Sequence, residues 1–273
     1  CLASLHWADE IVVLDSGSRD RTQEIARQHT DRVFVRPFDN YSRQRNAALD
    51  LARGDWVLFV DADERVPAEL AAEVRDVVAN AEHAGYWVPR RNWILGRWIA
   101  HSGWHPDYQL RLLRRGLARY NEQQAVHEVA DVQGSTGTLQ HPLVHINYER
   151  LSEFLTKQRD YAAFEARTLW SRGIRPKPQN YVLQPLRELK RRYVTWEGYK
   201  DGGHGLLLAC LMAGFSFVTY VELARLWREH SAVEHSPDGV AVRQANQRPG
   251  RAAAAVGQAQ PGRASLDPTT SLP

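Results

Sequence analysis

The sequence predicts an α/β fold, a doubly wound and mostly parallel sheet followed by a helical C-terminal region. Two observations carry this. Short aliphatic runs alternate with helix-length segments as far as residue 81, as they do when crossover helices join parallel strands. One of these runs, Trp56-Val57-Leu58-Phe59-Val60, is continuously apolar, the pattern of a strand covered on both faces.

Residues 11–14 form a β-branched and aliphatic strand stopped by the turn residues Asp15-Ser16-Gly17-Ser18. Residues 22–29 read as a helix, 33–35 as a short strand and 43–52 as a second helix that Gly54 ends. After the apolar strand, Pro67 opens a third helix, because proline suits a first turn. Ligands of such sheets bind beyond the carboxyl ends of the strands, so Asp15 and Asp61 are expected on one edge. Residues 86–148 read as mainly β. Residues 151–170 have helical spacing, with Leu151, Phe154, Leu155 and Leu169 near one face. Residues 187–193 are basic and 206–221 almost entirely apolar. From residue 232 Gly, Pro, Ala, Gln and Ser dominate, and disorder is expected. The implied division is 1–149 catalytic, 150–231 helical and either membrane-associating or acceptor-facing, and 232–273 a tail.

Of the 273 residues, 43% are hydrophobic and 25% charged, ordinary for a globular protein. A net charge of +3 is too mild to argue for nucleic acid, but it suits anionic substrates or an anionic membrane surface. Two cysteines, Cys1 and Cys210, provide neither a disulfide framework nor a zinc site, so a reducing compartment is the default. The first residues do not read as a secretory signal, since no basic stretch precedes a small-residue cleavage site, and none is expected. A start at Cys-Leu-Ala-Ser, close to a strand, is expected of a fragment without its natural beginning.

The chemical signal is Phe59-Val60-Asp61-Ala62-Asp63-Glu64, a strand that delivers two carboxylates one residue apart into a turn. Mg²⁺ or Mn²⁺ takes oxygen ligands, few of them from protein and the rest from phosphate and water. Such an ion neutralises a departing diphosphate. The plainer alternative is a solvated turn and helix cap. The motif has company: residues 12–22 hold Asp15-Ser16-Gly17-Ser18, and Arg43-Gln44-Arg45-Asn46 precedes Ala52-Arg53-Gly54-Asp55-Trp56. In this order the pieces resemble the family 2 inverting glycosyltransferases, whose GT-A fold is a Rossmann-like sheet. The resemblance covers roughly the first 150 residues.

It implies a nucleotide-diphosphate sugar donor, a UDP-sugar above all. Asp15 would contact the base or ribose. Ser16, Gly17 and Ser18 would bring backbone to the nucleotide, with Gly17 permitting the turn. Arg45 would approach the nucleotide or diphosphate, or else form a surface salt bridge, and Asn46 would cap or brace its helix. Asp61 and Asp63 would hold the metal, Asp63 more firmly, with Glu64 behind them or serving as a helix-start charge. Family members begin with a strand that this chain lacks.

Val126-His127-Glu128 resembles the His-Glu motif of the lipopolysaccharide-core glucosyltransferase branch. It implies Glu128 as the base that deprotonates the acceptor hydroxyl, with His127 orienting it, facing the acceptor or acting itself. Trp104-His105-Pro106-Asp107 and the following Gln109-Leu110-Arg111-Leu112 resemble the same branch. Trp104 and Asp107 would bind acceptor sugar, with Trp104 equally suited to the core. Arg111 would approach phosphate or brace Glu128, and His145 is a candidate third metal ligand.

Asp201-Gly202-Gly203-His204 resembles that branch as well. The apolar run after it is shorter than the roughly 20 residues that span a bilayer. Lys190, Arg191, Arg192 and Lys200 precede it and Arg225 and Arg228 follow, which suits either a helix lying on an anionic leaflet or a helix buried against the catalytic domain. The implied whole is a cytoplasmic enzyme, peripheral at a bacterial inner membrane, moving glucose to a lipid-linked glycan such as lipopolysaccharide core. Polyprenyl phosphate and capsule glycan are alternative acceptors. Two rivals stand outside this reading. One is a haloacid-dehalogenase-type phosphatase, although Arg65 stands where its motif expects Thr or Val. The other is a non-catalytic family remnant.

Overall fold

The structure, a computed structural model, describes residues 1–123 and 129–234. His127 and Glu128 lie outside the described residues, as does the tail from residue 235. Residues 1–226 form one compact unit.

After a 3₁₀ turn at Leu2–Leu5, the chain runs β1 (Val13–Asp15), α1 (Thr22–Arg27), β2 (Val33–Val35), α2 (Tyr41–Leu51), β3 (Trp56–Leu58), β4 (Glu64–Arg65) and α3 (Ala68–Ala79). A β-rich stretch comes next: β5 (Gly85–Ile94), β6 (Arg97–Trp98), β7 (Tyr108–Arg114), β8 (Ala118–Tyr120), β9 (Ala130–Val132), β10 (Thr136–Thr138) and β11 (Leu143–Tyr148). The chain then becomes helical through α4 (Leu151–Ser171), α5 (Asn180–Leu189), a π-helical turn (Lys190–Thr195), a 3₁₀ turn (Gly198–Asp201) and α6 (Gly202–Glu234).

The α/β class and the helical C-terminal region are as expected, while the strand polarity is more mixed than the sequence suggested. β1 and β2 pair in parallel. The main sheet runs β3-β7-β5-β11-β4, and only its β5–β11 step is parallel, with β10 also parallel to β5. Parallel neighbours need a long crossover, usually helical. Among the described residues no helix interrupts 85–148, so β5 and β7 return directly on each other.

The continuous apolarity of the third strand has the predicted consequence. Trp56, Leu58 and Val60 pack into one core with Leu70 and Val74 of α3, while Val57 and Phe59 pack into another with Leu49 of α2. The sheet is thereby covered on both faces, and its strand end at Asp61 opens beyond them.

A third core joins the helical region to the sheet. Phe154 of α4 and Leu208 of α6 are fully buried against Ile94, Ile99 and Tyr148. Asp201, itself buried, accepts the backbone N–H groups of Ala100 and His101 and faces His101 Nδ1. The glycines beside it serve the backbone: a Cβ on Gly205 would meet the carbonyl oxygen of Gly198 at 1.8 Å. The helix that begins there is longer than the apolar run it contains. Gly198–His230 is long and apolar enough to cross a membrane by length and composition, and only 28% of its most apolar window is buried.

Phe154→Ala should cost about 3–5 kcal/mol in denaturant unfolding, since it empties this third core. Leu155→Ala, at a site 38% exposed, should cost under about 1 kcal/mol. Equal effects would show that α4 is not anchored through Phe154.

Candidate active site

The turn after β3 lies on a buried chain of charges. Glu64 has no solvent exposure. Its carboxylate accepts the Asp61 backbone N–H at 2.8 Å and faces the guanidiniums of Arg111 at 3.2 Å and Arg90 at 3.4 Å. Arg111, 4% exposed, donates to both carboxylate oxygens of Asp61, and Arg45 reaches the same group at 3.3 Å. Burial pushes the Asp61 carboxyl up, but Arg111 and Arg45 more than offset it and hold it below its ordinary value. At the other end, Arg90 grips Asp107 at 2.7 Å. Burial raises that carboxyl too, and the Arg90 charge with hydrogen bonds from Asn92 and Gln109 brings it below normal.

Asp63 projects the other way, its side chain 45% exposed. His145 Nε2 stands 3.2 Å from Asp63 Oδ2. The orientation of that ring is set from behind. Asn92 Nδ2 donates to Trp104 O and Asp107 Oδ2, so Asn92 Oδ1 must accept, and His145 Nδ1 donates to it at 2.6 Å. Nε2 therefore aims at a carboxylate across a gap that only a proton or a cation can fill. Two ligands about 2.1 Å from one octahedral ion, at right angles, sit about 3 Å apart. The pair fits a divalent ion, and the Asn92 brace is what ligating histidines ordinarily have. Among the described residues no group of three or more His, Cys, Asp or Glu side chains gathers around one metal position. Two such ligands would leave most of an ion's coordination sphere to substrate and water.

The Asp15 turn is organised by its own aspartate. Asp15, 6% exposed, accepts the N–H groups of Gly17 and Ser18, the Ser18 hydroxyl and the Gln23 amide. Burial raises this carboxyl, and these four donors together carry it below its usual range. Gly17 takes φ +92°, which favours glycine. Helix α2 spans from this turn to the acidic one: Gln44 donates to the Ser16 hydroxyl and its neighbour Arg45 reaches Asp61. Arg45 also lies over the rings of Phe59 and Tyr120. Asn46 braces across elements, exchanging two 2.9 Å hydrogen bonds with the Tyr120 backbone.

Asp61, Asp63, His145 and Trp104 all line one cleft of about 480 Å³. Arg111, expected toward acceptor or phosphate, is buried beneath the cleft lining against the Asp61 and Glu64 carboxylates. Asp107 is likewise spent on Arg90, Asn92 and Gln109. Residues that the sequence reading missed complete the cleft. Lys157, Gln158 and Tyr161 of α4 form a wall with Tyr148. Gln158 donates to the Tyr148 hydroxyl and Lys157 sits 5.2 Å from its ring. Burial pushes the Tyr148 phenol up to about 12, so it stays protonated and is no base at neutral pH. The only sequence signal was the polar side of an amphipathic helix, which most helices share.

Arg111→Met should cost about 3–5 kcal/mol, since it takes from Glu64 and Asp61 the cation nearest to both. Arg115→Met, at an exposed pair with Asp55, should cost under about 1 kcal/mol. Comparable losses in thermal or denaturant unfolding would show that the buried chain carries no such stability.

Comparison with known proteins agrees with the motif order. Over 238 residues the chain is 28% identical to the lipopolysaccharide core biosynthesis glycosyltransferase LpsC of Rhizobium meliloti, covering 85% of this chain and 87% of that one. An uncharacterized glycosyltransferase of Rickettsia bellii is 23% identical over 230 residues, covering 80% and 77%. Among solved structures, S. aureus TarS residues 1–349 in complex with UDP aligns over 89% of this chain and 86% of that one, at 14% identity and a TM-score of 0.39. The glycosyl transferase family 2 model matches residues 1–138, and the chain belongs to that family.

Proposed function

We propose that this glycosyltransferase moves glucose from UDP-glucose, with inversion, to a lipid-linked glycan of the lipopolysaccharide-core type, at the cytoplasmic face of the inner membrane. The observation that carries the metal-dependent part is Asp63 facing the braced His145 at the rim of a cleft whose floor is neutralised by Arg111. The LpsC likeness over most of both chains supports the acceptor class. Membership of family 2 sets aside the phosphatase reading.

Asp63 and His145 would hold Mg²⁺ or Mn²⁺, whose charge offsets the diphosphate as it leaves. Asp61, already compensated by Arg111 and Arg45, keeps the turn in shape and adds negative potential beside the ion. The Asp15 turn offers a preshaped backbone edge for the nucleotide, its aspartate occupied within the loop. Trp104 and Tyr161 line the acceptor side, with Lys157 supplying a positive charge there. An inverting transfer needs a base opposite the leaving group. The Asp61, Asp63 and Asp107 carboxylates are each engaged by a cationic or histidine partner, which supports Glu128 for that role, with His127 beside it.

The deciding experiment incubates the protein with a panel of nucleotide sugars and Mn²⁺. Hydrolysis of UDP-glucose above the others is expected, and no binding or turnover of any nucleotide sugar would refute the proposal. Asp63→Ala should abolish metal-stimulated hydrolysis, while Asn92→Leu, which frees the His145 ring, should weaken Mn²⁺ binding about 10–100-fold. Unchanged Mn²⁺ titration in both would remove the metal assignment. Glu128→Gln should leave donor binding intact and slow transfer by about 10²–10⁴-fold. Lys157→Ala should raise the acceptor KM and leave the donor KM alone. A donor effect instead would place Lys157 against the diphosphate.

A further inference from the structure

Helix α5 and the π-helical turn after it leave several large apolar side chains exposed. Val182, Leu183 and Leu186 are 59%, 43% and 55% exposed, and Val194 is 55% exposed. Their spacing, two adjacent positions and then one a turn later, puts the first three on one stripe. The wider π turn returns Val194 to it. Arg187, Lys190 and Arg191 border this stripe, all exposed. Between residues 172 and 200 the chain holds eight Lys or Arg against two Glu. Those two glutamates are paired locally, Glu188 with Arg191 and Arg192, and Glu197 with Lys200. An apolar stripe with basic flanks and little free acid is complementary to an anionic bilayer surface. The stripe also continues onto α6, where Tyr181 of α5 meets the half-exposed Phe217 at 5.9 Å between ring centroids.

This segment is tied to the cleft. Arg192 donates to Ser102 O at 2.9 Å, and the Ser102 N–H donates to Trp196 O at 2.8 Å. The same guanidinium lies 5.6 Å from the ring of Trp104, which lines the cleft. A Cβ on Gly103 would come within 2.5 Å of the Trp196 ring, so the loop that carries Trp104 rests directly on the π turn.

We propose that the apolar stripe of α5 and its π turn seats the protein on an anionic lipid surface, with Arg192 holding the Trp104 side of the cleft in register with that surface. The proposal deepens the lipid-linked-acceptor reading and names the segment that brings the cleft to the acceptor's membrane.

The test is co-sedimentation of the full chain with vesicles of equal parts phosphatidylglycerol and phosphatidylethanolamine, beside vesicles of phosphatidylcholine. Binding to the anionic vesicles is expected, weak binding to phosphatidylcholine, and loss at high salt. Leu186→Asp and the double variant Arg187→Glu/Lys190→Glu should each weaken binding at least about tenfold, since each basic residue contributes measurably at such a surface. Hydrolysis of free donor without vesicles should persist in both, which reports a folded cleft independently of the surface. Should Leu186→Asp lose that hydrolysis, the charge variant decides. Unchanged vesicle binding in the charge variant would overturn the proposal. So would equal binding to phosphatidylcholine, or loss of binding confined to a Leu206→Asp/Leu207→Asp variant on α6. A halved molar mass of Leu186→Asp by light scattering, with no vesicle binding by the parent, would assign the stripe to a second copy of the chain and overturn it as well. Absence of donor hydrolysis from the parent chain, with vesicle binding intact, would refute the enzymatic reading and not the surface.

Discussion

A carboxylate with no access to water has to be compensated where it stands, and Glu64 is such a group. Removing a charge from water costs several kcal/mol even after relaxation, so it persists only with close counter-charges and satisfied oxygens. Here Arg111, Arg90 and the Asp61 amide supply both. The same two arginines then have charge left for Asp61 on one side and Asp107 on the other. The acidic turn is thus one member of an alternating chain that runs through the sheet. Its geometry is set by where the guanidiniums are held, on β5 and β7. Asp61 and Asp63 both line the cleft, and Asp63 is the one whose partner is His145 and not one of these arginines.

The walls are assembled from distant segments. Helix α2 links two turns through consecutive residues, Gln44 to the Asp15 turn and Arg45 to the acidic one, while Asn46 fixes the backbone at Tyr120. The opposing wall comes from α4, beyond the 138 residues that the family model matches. Asp15, Asp61 and Asp63 reside in the matched part, and the surface proposed to meet an acceptor is built largely by α4.

Much of this was legible early. Continuous apolarity at residues 56–60 marked a strand buried on both faces, and Asp61 and Asp63 one residue apart marked an acidic turn at its tip, though both were expected to serve alike as metal ligands. Asn46 was expected to cap or brace its own helix, and its bonds to the Tyr120 backbone cross to another element, which local sequence does not mark. The sense of the strands between residues 85 and 148 was not legible, because an apolar run of a few residues reads the same in parallel and antiparallel ladders. The partners of Arg111 were not legible for a related reason: a lone arginine in a strand gives no sign of a buried carboxylate 47 positions earlier. His127 and Glu128 rest on the motif resemblance.

The sequence by itself determined the α/β class, the family and the pair of acidic residues at a strand end, since these derive from local periodicity and from motif order along the chain. Only the tertiary structure decided which carboxylates face buried arginines and which faces a histidine at the cleft. It also decided that α4 closes the cleft and that α5 keeps an apolar stripe outward. The physical reason is that charge compensation and exposure depend on which side chains meet in space, and those meetings span from 16 to more than 80 positions of sequence.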